Sequence, residues 1–230
     1  MKIDILTVVP GLLQGPFDHS IMKRAADKGL LEVNVINLRD YSTLARAQVD
    51  DYPFGGGAGM VLMMEPLVNA IESLQSKTKY DEVIYLTPDG ETMHQKMVNS
   101  LSLKNNLLMI CGHYKGIDQR FRDHFITREI SLGDFVISGG ELAAAVLTDA
   151  IGRLIPGVLN DERSALSDSF QDDLLAPPVY TRPATFRGWD VPEILMSGNH
   201  EKIDQWRHEK AVEATKEKRP DIYSRYEKSH

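Results

Sequence analysis

Apolar positions along the first 154 residues alternate between two spacings. Ile3 and Ile5 flank Asp4 in MKIDILTVVPG, the period-two pattern of a strand, expected over residues 3–9. A helix is expected over 20–28, with Ser20 able to cap its first amides and Gly29 placed to close it in the left-handed conformation. Residues 31–38 are β-rich, and Pro66 then stands at a helix start whose Leu67, Ala70, Ile71 and Leu74 share one face. The apolar runs 82–86 and 107–111 have the length of buried strands, and 91–103 between them reads as helical. A long helix rich in alanine and leucine covers 139–154. Strands and helices taking turns in this way are the signature of an α/β domain on a largely parallel sheet.

Two stretches break the pattern. Residues 39–59 are polar and glycine-rich, longer than a compact domain leaves unstructured unless the loop has a job. Beyond Ile155, Pro156-Gly157 ends the last helix and VLNDERSALSDS reads as a linker. The remainder, 170–230, holds both tryptophans and reads as a small helical domain. Within it Ile203, Trp206, Arg207, Lys210, Ala211 and Ala214 fall on one helix face, an apolar centre with a basic rim.

Charge narrows the choice of partner. The chain carries 26 lysines and arginines against 33 aspartates and glutamates, a net of -7, which excludes a uniformly basic nucleic-acid-coating protein but not a local basic surface. Ten basic and eleven acidic residues lie in 170–230, so the deficit is concentrated before it. Cys111 is the only cysteine, which excludes an intramolecular disulfide framework and a cysteine-based zinc site. No apolar run approaches the roughly 20 residues of a membrane span, and the N-terminus reads as a strand rather than a signal peptide. The expectation is a cytoplasmic protein without a membrane partner.

Standard motifs contribute mainly by their absence. Gly55-Gly56-Gly57-Ala58-Gly59 fits neither dinucleotide nor P-loop fingerprints, and no H-E-x-x-H, C-x-x-C or G-x-S-x-G occurs. More informative are three glycine-bearing segments that each follow a short apolar run: 85–90, 111–116 and 131–140. In open parallel sheets ligands bind beyond the carboxyl ends of strands, so these loops are candidate ligand walls, with Gly139-Gly140 leading into a helix N-terminus. Each alone could be a simple turn. His113 could be a base, a ligand or neither. The acidic stretch from Asp161 to Asp173 has the composition of a solvated linker, and Arg153 would meet the negative end of the preceding helix. Lys115, Arg120, Arg122 and Arg128, with Phe121 and Phe125 between them, suit a nucleic-acid backbone or an amphipathic helix equally well.

Six segments in order along the chain nevertheless carry a specific resemblance. They are GGGAGM at 55–60, CGHYKGID at 111–118, LGDFVISGGEL at 132–142, RLIPGVL at 153–159, Asp168-Ser169-Phe170 and Tyr180-Thr181-Arg182-Pro183. Together they closely resemble the bacterial TrmD-type tRNA (guanine-N1)-methyltransferases of the SPOUT class.

That resemblance implies an α/β fold with a parallel sheet whose C-terminal part is tied in a deep trefoil knot, and a small helical C-terminal domain. The implied division is a knotted domain over 1–158, a flexible linker over 159–169 and a helical tRNA-binding domain over 170–230. It implies S-adenosylmethionine as methyl donor, held by Leu86, Pro88, Gly112, Tyr114, Leu132, Gly133, Asp134, Phe135, Val136 and Ile137 with Gly139 and Gly140 behind them. The implied target is N1 of the guanine at position 37 of tRNA, with Asp168 as the base and Arg153 as the essential arginine. It also implies a homodimer whose active site is shared between subunits, and a linker carrying Asp168 that closes after tRNA binds. Magnesium is left open: many relatives carry a glutamate, linked to magnesium dependence, where this chain has Lys115. His113 replaces an arginine of other members.

Overall fold

The computed structural model describes residues 1–159, 168–170 and 172–229. The chain forms two compact units, Met1–Asn160 and Asp161–His230. Most of the linker expected over 159–169 lies outside the described residues.

The first unit is built on a five-stranded sheet in the order β2-β1-β6-β5-β7, with every pairing parallel. Its strands are β1 (Lys2–Thr7), β2 (Glu32–Asn37), β5 (Glu82–Thr92), β6 (Asn106–Cys111) and β7 (Arg128–Ser131). Strand side chains alternate between faces, and here both faces are covered. Ile3, Ile5, Ile84, Leu107 and Met109 pack on one side with Ala25 of α1 (Ser20–Asp27), Leu101 of α3 (Gln95–Ser102) and Leu147 of α5 (Glu141–Gly152). Leu6, Val83, Leu108 and Ile110 pack on the other with Leu67, Ala70, Ile71 and Leu74 of α2 (Met64–Gln75) and Phe121 of α4 (Gln119–Phe125). The shared face expected after Pro66 is therefore a core face.

The polar position of the first strand is also buried. Asp4 accepts hydrogen bonds from Asn34 Nδ2 at 2.9 Å and from the Tyr80 hydroxyl, and Lys2 Nζ lies 3.2 Å from its Oδ2. A buried carboxylate is tolerated only when partnered in this way. Burial, and then the hydrogen bond to Asp4, push the Tyr80 hydroxyl pKa up.

Three local expectations need correction. Ser20 does not cap α1: the N-cap is His19, which makes no side-chain capping bond, and Ser20 itself has φ +53°. Residues 39–59 are not structureless, because β3 (Asp50–Asp51) pairs antiparallel with β4 (Val61–Leu62) and turns the glycine run into the tip of a short hairpin. Strand β5 does not end at Leu86; it runs to Thr92 with an irregularity between Leu86 and Glu91, on either side of which Leu86 and Glu91 both pair with Ile130. The following helix accordingly starts at Gln95, where His94 Nδ1 accepts from Met97 N at 3.2 Å.

The second unit contains an antiparallel hairpin, β8 (Thr185–Phe186) with β9 (Trp189–Asp190). Three helices follow: α6 (Glu193–Met196), α7 (His200–Lys218) and α8 (Pro220–Ser229). Asn199 Oδ1 caps α7 by accepting from Lys202 N at 3.2 Å. Ile203 and Ala211 of the expected apolar face are buried, together with Thr215, whose Oγ1 accepts from Leu175 N at 2.8 Å. No helix among the described residues is long and apolar enough to cross a membrane.

Candidate functional site

The three glycine-bearing segments converge at the irregular stretch of β5 and the carboxyl ends of β6 and β7, where they enclose a cavity of about 460 Å³. That size falls within the roughly 300–1,000 Å³ of small-molecule sites. The first wall is the irregular stretch of β5, contributing Leu86 and Pro88. The second is the loop after β6, contributing Gly112 and Tyr114. The third is the loop between β7 and α5, contributing Leu132, Phe135, Val136, Ile137, Gly139 and Gly140. Gly133 and Asp134, expected with them, do not line the cavity. Gly133 instead shapes the loop: its N donates to Ser131 Oγ at 3.1 Å and its carbonyl accepts from Phe135 N at 2.8 Å.

Close backbone approach explains the glycines at the floor. Gly140 N donates to Gly112 O at 2.8 Å, tying the second wall to the third. A Cβ on Gly140 would lie 2.8 Å from Cys111 Cα, which no real side chain tolerates. Tyr114 adopts φ +58°, a left-handed conformation uncommon for a bulky residue and a mark of a backbone shaped for its role rather than for local comfort.

Both arginines of α4 are already engaged. Arg122 of α4 donates through Nη2 to Glu129 Oε2 and to Asp89 Oδ2, both at 2.7 Å, and its guanidinium lies 5.2 Å from the centroid of the Tyr85 ring. Glu129 first, and Asp89 after it, hold the guanidinium firmly charged. The Thr87 hydroxyl and then Arg122 hold the Asp89 carboxyl below its ordinary value. Arg120 forms a two-pronged pair with Asp118, at 3.0 and 2.7 Å, while Phe121 is buried and stacks on Phe125. Of the two readings of this cluster, the geometry supports the amphipathic helix. Arg122 is a cavity residue outside the three expected walls, whereas Tyr85 and Thr87 lie within the expected wall 85–90 without having been named as binding residues. For Arg122 the sole signal was its place in that cluster.

Arg153 sits at the C-cap of α5, with its N donating to Asp149 O at 3.1 Å. Asp168, half-buried, belongs to the second unit. Among the described residues no group of three or more histidine, cysteine or carboxylate side chains is placed to hold a metal ion. Lys115 lays its stem across the glycine hairpin, so that a Cβ on Gly59 would meet Lys115 Cγ at 2.9 Å, and its N donates to Met60 O at 2.9 Å.

Comparison with known proteins bears on what this cavity serves. The chain matches the family described as tRNA (Guanine-1)-methyltransferase TrmD over residues 1–225. The tRNA (guanine-N(1)-)-methyltransferase of Flavobacterium psychrophilum is 64% identical over 222 residues, 96% of this chain and 99% of that protein. The protein of the same description from Bacteroides fragilis is 60% identical, again over 96% of this chain and 99% of its own length. That from Cytophaga hutchinsonii is 58% identical over 230 residues, all of this chain and 98% of the relative. With its sheet, its strand-end cavity and nearly its whole length accounted for, the chain belongs to the TrmD family of tRNA (guanine-1)-methyltransferases.

Proposed function

We infer that this chain transfers a methyl group from S-adenosylmethionine to N1 of the guanine at position 37 of tRNA, next to the anticodon. The observation that carries this reading is the family match over 1–225, in a chain whose strand-end loops enclose a cavity of suitable size. The residues present fit an adenosyl ligand: Leu86, Leu132 and Ile137 offer apolar walls for a flat base, and Gly112 and Gly140 leave backbone within reach. When bound, S-adenosylmethionine supplies the methyl, the N1–C bond forming as the C–S bond breaks and its electron pair neutralises the sulfonium.

The remaining chemistry falls to the protein. Guanine N1 carries a proton at neutral pH and is a poor nucleophile until it leaves, so the reaction calls for a base within hydrogen-bond reach. In this reading the Asp168 carboxylate takes that proton. Negative charge then develops on O6, where the Arg153 guanidinium stabilises the transition state more than the ground state. The base must leave its stack to be reached.

The trefoil knot belongs to the same reading, supported by the close backbone approach of Gly140 to Cys111. So does a homodimer with a shared site. Leu142 and Val146, one turn apart on α5, are 55% and 46% exposed, and Val136 at the cavity is 84% exposed. Apolar surface of this kind, beside the site, suits burial against a second copy. The second unit is read as the tRNA-binding part, supported by exposed Phe186 and Trp189 on its hairpin and Arg187 lying over the Phe186 ring.

The test is labelled methyl transfer to a tRNA with guanine at position 37, against the same tRNA substituted there. Labelling of the first alone is expected, and equal labelling of both overturns the site assignment. Asp168→Asn is expected to abolish turnover while calorimetry still detects cofactor binding.

A further inference from the structure

Behind the third wall of the cavity lies a buried carboxylate that the chemistry above does not use. Glu141, the first residue of α5, has a side chain 1% exposed. Its Oε1 accepts from the Thr7 hydroxyl at 2.6 Å, but its Oε2 has no hydrogen-bond partner. The facing atom is His113 Nδ1, 3.8 Å away, also buried and also without a partner. Two unsatisfied buried polar atoms are costly alone, and here they face each other just beyond hydrogen-bond length. A ring movement of roughly 1 Å closes the gap to an ordinary bond. The space is kept by Gly139, where a Cβ would lie 2.3 Å from Glu141 Oε2 and 2.4 Å from His113 Nδ1.

The chemistry of the pair fixes its direction. An ionised carboxylate only accepts hydrogen bonds, so the bond requires the proton on Nδ1. A neutral imidazole then carries its lone pair on Nε2. Nδ1 is the buried edge of a ring whose side chain is 21% exposed and lines the cavity beside Gly112 and Gly140. We propose that Glu141 is a positioning residue that orients His113, whose Nε2 accepts a hydrogen bond from a hydroxyl or ammonium group of the bound adenosyl cofactor. This rests on the cavity being the cofactor site. It gives His113 a role distinct from that of an arginine, which has donors and no acceptor.

The experiment combines nitrogen-15 NMR of the His113 ring in the ligand-free protein with calorimetric titration of S-adenosylhomocysteine into wild type, Glu141→Gln, His113→Asn and the double variant. Wild type is expected to show the Nδ1-protonated tautomer. Glutamine at 141 can donate to Nδ1 instead, so in Glu141→Gln the ring proton moves to Nε2. Each single variant is expected to bind roughly five- to ten-fold more weakly, the value of one hydrogen bond, and the double variant no more weakly than either. A wild-type Nε2-protonated tautomer, unchanged affinity in His113→Asn, or additive losses overturn the proposal. Unchanged cofactor affinity with weakened tRNA binding overturns it in favour of a tRNA contact. Failure of wild type to bind the probe at all overturns the cofactor reading itself, a result separable from the tautomer.

Discussion

Arg122 reaches from α4 to Asp89 in the irregular stretch of β5, closing a 2.7 Å ion pair at the rim of the cavity while its other bonds hold Glu129 of β7. One guanidinium thus fastens one cavity wall to the strand beside it. Losing one partner of an exposed pair costs about 0–1 kcal/mol, whereas losing one partner of a buried pair costs about 3–5 because the other charge is left buried alone. With an Arg122 side chain 18% exposed and an Asp89 side chain 62% exposed, this cluster stands between those limits. Arg122→Gln is expected to cost about 1–2 kcal/mol in urea unfolding. Loosening of residues 87–90 should also weaken S-adenosylhomocysteine binding. A variant with full stability and full affinity would remove this clamp from the account.

Gly140→Ala separates close approach from backbone strain. Gly140 has ordinary helical dihedrals, φ -74° and ψ -7°, so alanine is conformationally permitted. Its Cβ, however, would press on Cys111 Cα and Gly112 N at 2.8 and 3.0 Å, both backbone atoms that cannot swing away. Overpacking of this kind costs about 1–3 kcal/mol. The loss should appear in thermal unfolding together with reduced cofactor affinity, since the displaced Gly112 is itself part of the wall. Alanine at Gly188, where nothing lies within 4 Å of the added Cβ but φ is +83°, supplies the converse case, backbone strain without crowding.

The alternation of apolar runs was enough to read the parallel sheet, because buried strands such as Leu107 to Cys111 must be apolar on both faces. It misplaced the end of β5 because Thr87, Pro88, Asp89 and Gly90 have the composition of a turn. Only tertiary pairing with β7 carries the strand through them. The cavity was legible as three glycine-bearing segments that each follow an apolar run, yet Arg122 was not, since its partners Asp89 and Glu129 are brought to it by the fold. Glu141 is the sharper case. A carboxylate opening a helix reads as an exposed dipole partner, and nothing in the local sequence says that Thr7, 134 residues away, will bury it.

Acid should destabilise the fold through identifiable groups. Asp89 is held below its ordinary value by Thr87 and Arg122, and Asp118 by Arg120. A carboxyl whose folded pKa is depressed contributes stability that is fully present above its unfolded value, 3.8. That contribution is lost as pH falls through the lower folded value. Urea midpoints should therefore be insensitive to these groups between pH 7 and 5 and decline below about pH 4. Asp89→Asn should flatten part of that decline. An unchanged acid profile in Asp89→Asn would show that its ion pair contributes nothing to stability.

Cys111 ends β6 directly under the cavity floor, buried, and burial is the larger cause that pushes its thiol pKa well above the ordinary value, with the Glu141 charge adding to it. The thiolate is the reactive form, so a disulfide reagent at pH 8 should label the native protein far more slowly than the urea-unfolded chain. Because burial outweighs the carboxylate, Glu141→Gln should leave native labelling slow. The rate should instead follow conditions that open the first unit. S-adenosylhomocysteine, by stabilising the folded state it binds, should slow labelling further in proportion to its occupancy. Rapid native labelling would mean that the floor opens without unfolding, and the bond from Gly140 N to Gly112 O would then be too weak to hold the second and third walls together.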